Sequence, residues 1–207
     1  MRAVLLQQLR SATERPEERL ALSHPIDDAL SGGILRGAVV EIASPRGRAR
    51  ATSIALSACV AAQREAQRFG SHALCAWIDP ARSLFGPGVR ARGIDLARFF
   101  VVTPSLDLLS RAAVRVTESR AFSIVVVDLT TVSSLDRFTT VVRRLALATS
   151  GTTCSVLLLT DVEARRSMPL PTAARLELSR TRLDAITLRV AKDRHGRIGP
   201  AATVPWR

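Results

Sequence analysis

Tyrosine is absent from the sequence, and its six phenylalanines and two tryptophans sit mostly inside apolar runs. A row of exposed aromatic rings on which unpaired bases stack is therefore not expected. Cysteine is sparse too. Cys59, Cys75 and Cys154 are odd in number, far apart and set in apolar stretches, which suits buried, reduced thiols better than a disulfide framework or a zinc site. His24, His72 and His195 show no ligand spacing among themselves, so no metal is expected. No apolar run approaches the roughly 18 to 20 residues that cross a bilayer. Met1 to Leu20 is interrupted by Arg2, Gln7, Gln8, Arg10, Glu14 and Arg15, unlike the apolar centre of a secretory signal. Together these absences predict a soluble, cytoplasmic protein.

Lysine is nearly missing as well. Lys192 stands alone among many arginines, with Lys plus Arg at 30, Asp plus Glu at 18 and a net charge of +12. An excess of that size draws polyanions, nucleic acid through counterion release and acidic protein surfaces through steering. Charge by itself leaves both partners open, and also a merely solvated basic surface. At 207 residues and 47% hydrophobic, the chain holds enough apolar material for one sizeable α/β core. Residues 1–24 read as an appendage. Arg2 to Ser11 is a short helix carrying Val4, Leu5, Leu6 and Leu9, and the charged stretch Ala12 to Glu18, with Pro16, is a linker. Residues 25–207 read as the core domain.

Within the core, strand-like and helix-like stretches alternate. Ala38 to Ala43, Ala73 to Ile78, Phe99 to Thr103, Ile124 to Asp128 and Ser155 to Thr160 read as strands. Ser53 to Phe69, Pro87 to Arg92, Leu106 to Ser119 and Leu135 to Thr149 read as helices, the last closed by Gly151. Ahead of them, Pro25 opens a short helix, Ile26 to Leu30, that stops at Gly32-Gly33. Strands apolar on both faces and separated by helices predict a parallel sheet covered on both sides. Further on, Leu176 and Leu178, then Ile186, Leu188 and Val190, alternate with polar residues, the period of half-exposed antiparallel strands. Asp193-Arg194-His195-Gly196 makes a turn, and Ala202 to Val204 returns as a last strand. The expected class is α/β, a mainly parallel sheet flanked by helices and extended by antiparallel C-terminal strands.

Between the first of these strands and the long helix lies Ser44-Pro45-Arg46-Gly47-Arg48-Ala49-Arg50-Ala51-Thr52, where a phosphate-binding loop of the form GxxxxGK[ST] belongs. Aligned on that pattern, the first Gly is Ser44, the second Gly is Ala49, the Lys is Arg50 and the Ser/Thr is Ala51. A Cβ at Ala49 crowds a backbone that often needs φ > 0 to curl its amides around an anion. Ala51 has no hydroxyl for Mg²⁺. Arg50 keeps a positive charge but replaces a slim ammonium with a wide planar fork. The segment is either a degenerate nucleotide loop without organised hydrolysis or a basic strand-to-helix turn.

Several strings, in order, resemble the core of the RecA recombinases over Ile26 to Pro205. IDDALSGGILRGAVVEIASP is similar to the approach to the nucleotide loop, ALCAWIDPARSL to the strand carrying the catalytic glutamate, and SIVVVDLTTVSS to the Walker B strand. ITLRVAKDRHGRIGP resembles the late strand whose basic residues act on a neighbouring subunit's nucleotide, with Lys192 and Arg194 at the matching positions. In that family a Glu lies two residues beyond the Asp that ends the second strand and orients the attacking water; here Asp79 is followed by Pro80 and Ala81. Asp128 keeps the Walker B position, or else it caps the loop after its strand. The two loops with which RecA reads single-stranded DNA are cut to Thr130 to Ser134 and Val162 to Thr172, the latter with Arg165-Arg166 as its only basic pair.

A RecA-like core without this chemistry, preceded by a short Leu-rich helix, resembles the ImuA family of mutasome accessory proteins, more than the related cell-division inhibitor SulA. The resemblance implies a RecA-like P-loop NTPase core with no catalysis and no cofactor. It also implies a protein-binding role at the nucleoid in the SOS response and error-prone DNA damage tolerance, beside RecA, ImuB and a DnaE2-type polymerase. The partner surface is expected among Leu5, Leu6, Leu9, Arg165, Arg166, Lys192 and Arg194, although the three leucines equally suit a helix packed on its own core. The alternative expectation is a basic DNA-binding modulator that competes with RecA for single-stranded DNA.

Overall fold

Residues 18–22, 26–46, 51–182, 185–194, 196, 198–199 and 202–205 are described by a computed structural model of the protein. In chain order the elements are β1 (Arg19–Leu20), α1 (Ile26–Ala29), β2 (Ile34–Leu35), β3 (Val39–Ser44), α2 (Ala51–Arg68), β4 (Cys75–Ile78), α3 (Gly86–Ala91) and β5 (Phe99–Val102). They continue with α4 (Leu109–Glu118), β6 (Ile124–Asp128), α5 (Phe138–Thr149), β7 (Ser155–Asp161), β8 (Ala174–Arg182), β9 (Ala185–Asp193) and β10 (Ala202–Pro205).

β3, β4, β6 and β7 are buried along nearly their whole length, and each feeds one row of side chains to either face. Val40, Ile42, Trp77, Val126 and Leu157 belong to one apolar cluster with α2, whereas Val39, Ile78, Val127 and Leu158 belong to a second with α4 and α5. The result is one eight-stranded sheet in the order β10-β9-β8-β3-β7-β6-β4-β5. Strands β8 to β5 along that order run parallel, β9 pairs antiparallel with β8, and β10 pairs antiparallel with β9. Right-handed crossovers require that connections moving one way along the sheet pass over one face and those moving back pass over the other. Hence α2 covers the first face, and α4 and α5 cover the second.

α2 packs close because its buried stripe is small, with Ala51, Ile54, Ala55, Ala58, Cys59 and Ala62 at helical spacing. It ends in a reversed turn: Ser71 N–H donates to Ala66 C=O at 2.9 Å and Gly70 N–H to Gln67 C=O at 3.1 Å, with Gly70 at φ +66°. The three cysteines are free and buried, and burial pushes the Cys154 thiol up to about 12.

Three expectations change. Leu20 and Leu22 are buried, and β1 pairs antiparallel with β2, Leu20 opposite Ile34. The core therefore begins before residue 25; a two-residue strand next to a charged stretch has no period to betray it. β8 pairs antiparallel with β9 as its alternation suggested, yet it lies parallel to β3, with Val40 opposite Ala174. Alternation reports which face is buried and says nothing of a neighbour's direction. α5 starts at Phe138 instead of Leu135, because the residues before it close tighter turns, with the Phe138 N–H on the Leu135 C=O at 2.9 Å and the Thr139 N–H on the Asp136 C=O at 3.4 Å. The proposed helix Arg2 to Ser11, with Leu5, Leu6 and Leu9, lies outside the described residues. Among the described residues no helix is long and apolar enough to cross a membrane.

Candidate functional site at the carboxyl ends of the strands

β3, β4, β6 and β7 end along one edge of the sheet, so the segments after Ser44, Asp79, Asp128 and Asp161 gather there. β4 and β6 are neighbours whose following connections leave over opposite faces, the arrangement that opens a ligand crevice in α/β sheets.

Ser44 is buried, and its C=O accepts from the Val162 N–H at 3.3 Å. Pro45 is half-buried and Arg46 exposed; Gly47, Arg48, Ala49 and Arg50 lie outside the described residues. Ala51 opens the ordered helix with only 3% of its surface exposed, and Thr52 beside it faces outward. The position that the phosphate-loop alignment assigned to a hydroxyl is thus a methyl packed into the core. Ala81 is an exposed turn residue, and no group there can take a proton from water.

Asp128 is buried at the tip of β6, where its Oδ1 accepts from the Thr130 N–H at 3.0 Å and the Thr130 hydroxyl at 2.5 Å. Burial first, then the neighbouring Asp79, hold its carboxyl above the ordinary carboxylate range, while the Thr130 hydrogen bonds pull the other way. Asp79 is itself committed to the next loop: its Oδ2 accepts from the Leu84 N–H at 2.8 Å and its Oδ1 from the Ser83 hydroxyl at 3.4 Å. Two carboxylates stand on adjacent strands, each closing a turn. Among the described residues no three His, Cys, Asp or Glu side chains group together in a way that could hold a metal ion.

The loops that follow β6 and β7 are tied to one another. Arg165 N–H donates to Ser133 C=O at 2.8 Å, Leu135 N–H returns to Arg165 C=O at 2.8 Å, and Ser167 N–H donates to Asp136 Oδ1 at 2.6 Å. Hydrogen bonds from Ser167, with a smaller one from Ser134, hold the Asp136 carboxyl below its ordinary range. Beneath this pair of loops lies a residue that the motif reading passed over. Glu41, fully buried on β3, accepts from Arg166 Nη1 at 2.8 Å and from the Thr160 hydroxyl at 2.8 Å through Oε1, with Arg175 Nη1 3.5 Å away. The ladder continues outward as Arg175–Glu177 at 3.1 Å and Glu177–Arg189 at 3.8 Å. Its signal in the sequence is a lone carboxylate in the apolar run Val39-Val40-Glu41-Ile42, because a buried charge demands partners.

Of the basic residues singled out from the sequence, Arg166 turns inward onto Glu41 and Arg165 stays exposed. Lys192, on β9 opposite Arg175, donates to the Leu170 C=O at 3.1 Å and fastens the far end of the same loop. Arg194 is exposed, with its backbone N–H on the Ala173 C=O at 2.8 Å. Arg166 and Lys192 therefore meet around one connection, residues 162–173, from opposite ends. No protein-family model matches the chain, and no curated protein matches its sequence.

Proposed function

We propose that the chain is a non-catalytic, RecA-like accessory protein of error-prone DNA damage tolerance, working through contacts with ImuB, a DnaE2-type polymerase or RecA. The observation that carries the loss of catalysis is the joint fate of three positions in one crevice. Ala51 is a buried methyl, Ala81 is an exposed methyl, and Asp128 is bound to Thr130. An in-line phosphoryl transfer needs an aligned metal and an oriented water, and none of these side chains supplies either. The linked loops support the same reading, since their backbone groups bond each other instead of standing open to a DNA strand. The purified full chain should show no Mg²⁺-dependent ATP turnover, and it should co-purify with ImuB or bind RecA filaments. Turnover that disappears on Asp128→Ala would overturn the catalytic half of this reading, and absence of binding to all three partners would overturn the other half.

The net charge of +12 favours a second reading, a modulator that competes with RecA for single-stranded DNA. Real phosphate contacts give binding that falls steeply with salt. Labelled single-stranded DNA titrated at low and near-physiological salt separates the two, because an adaptor with a merely basic surface loses all binding at the higher salt.

A further inference from the structure

Beside the buried stripe of α2 runs a second one. Ser57, Val60, Ala61, Arg64 and Arg68 recur at helical spacing, so this side of the helix is apolar at its middle and cationic towards its end. β1 lies against α2 here, and the C-terminal end of α3 brings up Arg92. Together they line a cavity of about 310 Å³, the size at which small-molecule sites begin. Leu20, Leu22 and Val60 in its lining are buried, whereas Arg64, Arg68 and Arg92 are exposed. Apolar surface therefore lies deep, and positive charge surrounds the mouth.

Four guanidinium groups meet there from three separate parts of the fold: Arg19 on β1, Arg64 and Arg68 on α2, and Arg92 at the end of α3. Two of them are anchored by the protein. Arg19 Nη1 donates to the Leu30 C=O at 2.6 Å and the Gly33 C=O at 3.3 Å, and Arg92 Nη2 donates to the Ser53 Oγ at 3.0 Å. Arg64 reaches across towards the turn after α3, its Nη2 3.9 Å from where a Cβ on Gly93 would stand. The one carboxylate in the lining, Glu65, is paired with Arg36, which lies outside the cavity. Among the described residues no carboxylate pairs with Arg64 or Arg68, although the two stand one helical turn apart and repel each other. A merely solvated basic face gathers its charge along one helix; this charge is gathered from three elements around an apolar hollow.

We propose that this cavity binds a small phosphomonoester, its phosphate held by Arg64 and Arg68 together with Arg19 and Arg92, and its apolar body seated on Leu20, Leu22 and Val60. Guanidinium forks bond phosphate oxygens in pairs, and a dianionic phosphate brings more charge and one more oxygen than a carboxylate. A cavity of this volume holds one small molecule, whereas a nucleic-acid strand needs cations spaced along a track. No residue of the loops that follow β3, β6 and β7 lines the cavity, so the site stands apart from either reading of the chain's function.

The test is calorimetric titration of the full chain with phenyl phosphate, with inorganic phosphate and benzoate as comparisons at one ionic strength. Phenyl phosphate should bind at one site, inorganic phosphate more weakly for want of the apolar body, and benzoate more weakly for want of the second charge. Arg64→Ala and Arg68→Ala, both exposed changes, should each weaken phenyl phosphate by at least about tenfold, a loss of roughly 1.4 kcal/mol. Arg143→Ala removes the same charge from an exposed position on α5 and should leave binding unchanged. No binding, binding indifferent to Arg64→Ala and Arg68→Ala, an equal loss in Arg143→Ala, or benzoate binding as tightly as phenyl phosphate would overturn the proposal. So would tighter binding of an oligothymidylate without terminal phosphates that is lost in the Arg64 and Arg68 variants, since the arginines would then belong to a nucleic-acid track.

Discussion

Asp128 is pulled in two directions by its surroundings, and the sign of the result is measurable. Burial and the nearby Asp79 favour the protonated carboxyl, and Thr130 favours the charged one; the first pair prevails. A carboxyl that binds its proton more tightly folded than unfolded subtracts stability as pH rises through the unfolded carboxylate range, near 3.9. Above the folded value the penalty is complete. Asparagine keeps the shape and an oxygen that accepts from the Thr130 N–H, and it carries no charge. Asp128→Asn should therefore melt higher than the parent at pH 7, with the gap closing as the pH is lowered towards the acid limit of the carboxylate range. Thermal melts at several pH values check this. A lower melting point at pH 7 would mean that the charged form is the one the fold is built around. Either outcome bears on function, because a residue that the fold prefers neutral is poorly suited to hold Mg²⁺.

The element that decides what this edge of the sheet can do is the connection from β7 to β8. It spans residues 162–173 without a helix, and Glu41 fixes it from below through Arg166 while Lys192 fixes its far end. Removing one partner of a buried ion pair strands the other charge and typically costs about 3–5 kcal/mol. Glu41→Gln keeps the shape and lies at the low end of that range. It should also free the loops, so that the Leu135 and Arg165 amides exchange faster by more than the global loss of stability explains. Adding Arg166→Met should recover part of the loss, with a coupling of about 0.5–3 kcal/mol. A fully additive pair would show that Arg166 does not depend on Glu41. This element also marks the boundary of what the sequence reveals. The buried strands announce themselves because both their faces are apolar, and the Asp128 cap is legible because Thr130 is two residues away. Glu41 is visible as an anomaly, but its partner Arg166 lies 125 residues on, and only the fold brings that distance to a hydrogen bond. β1 and the direction of β8 were hidden for the same reason: neither leaves a local pattern, and both follow from what the rest of the sheet places beside them.

At the scale of the whole molecule, two apolar layers share one sheet, and the sharing dictates how the protein unfolds. β3, β4, β6 and β7 each give alternate side chains to the α2 layer and to the layer of α4 and α5. Neither layer can come away without stripping one face of the same four strands, which then hold no core on that side. Local loss is thus worth little to the chain, and the two layers should behave as one cooperative unit. Ile54→Ala empties a position in the first layer and Leu145→Ala one in the second; both side chains are 1% exposed. Each should cost about 2–5 kcal/mol. In urea both variants should move a single transition to lower denaturant with little change in slope. Trp206→Phe leaves Trp77, buried on β4, as the only tryptophan. Its fluorescence should then follow far-UV circular dichroism through the same midpoint in every variant. If Leu145→Ala separates the two probes while Ile54→Ala does not, the α4–α5 layer opens on its own. The sheet would then carry a detachable face, and the loops tied together by Ser133, Leu135 and Arg165 would open with it.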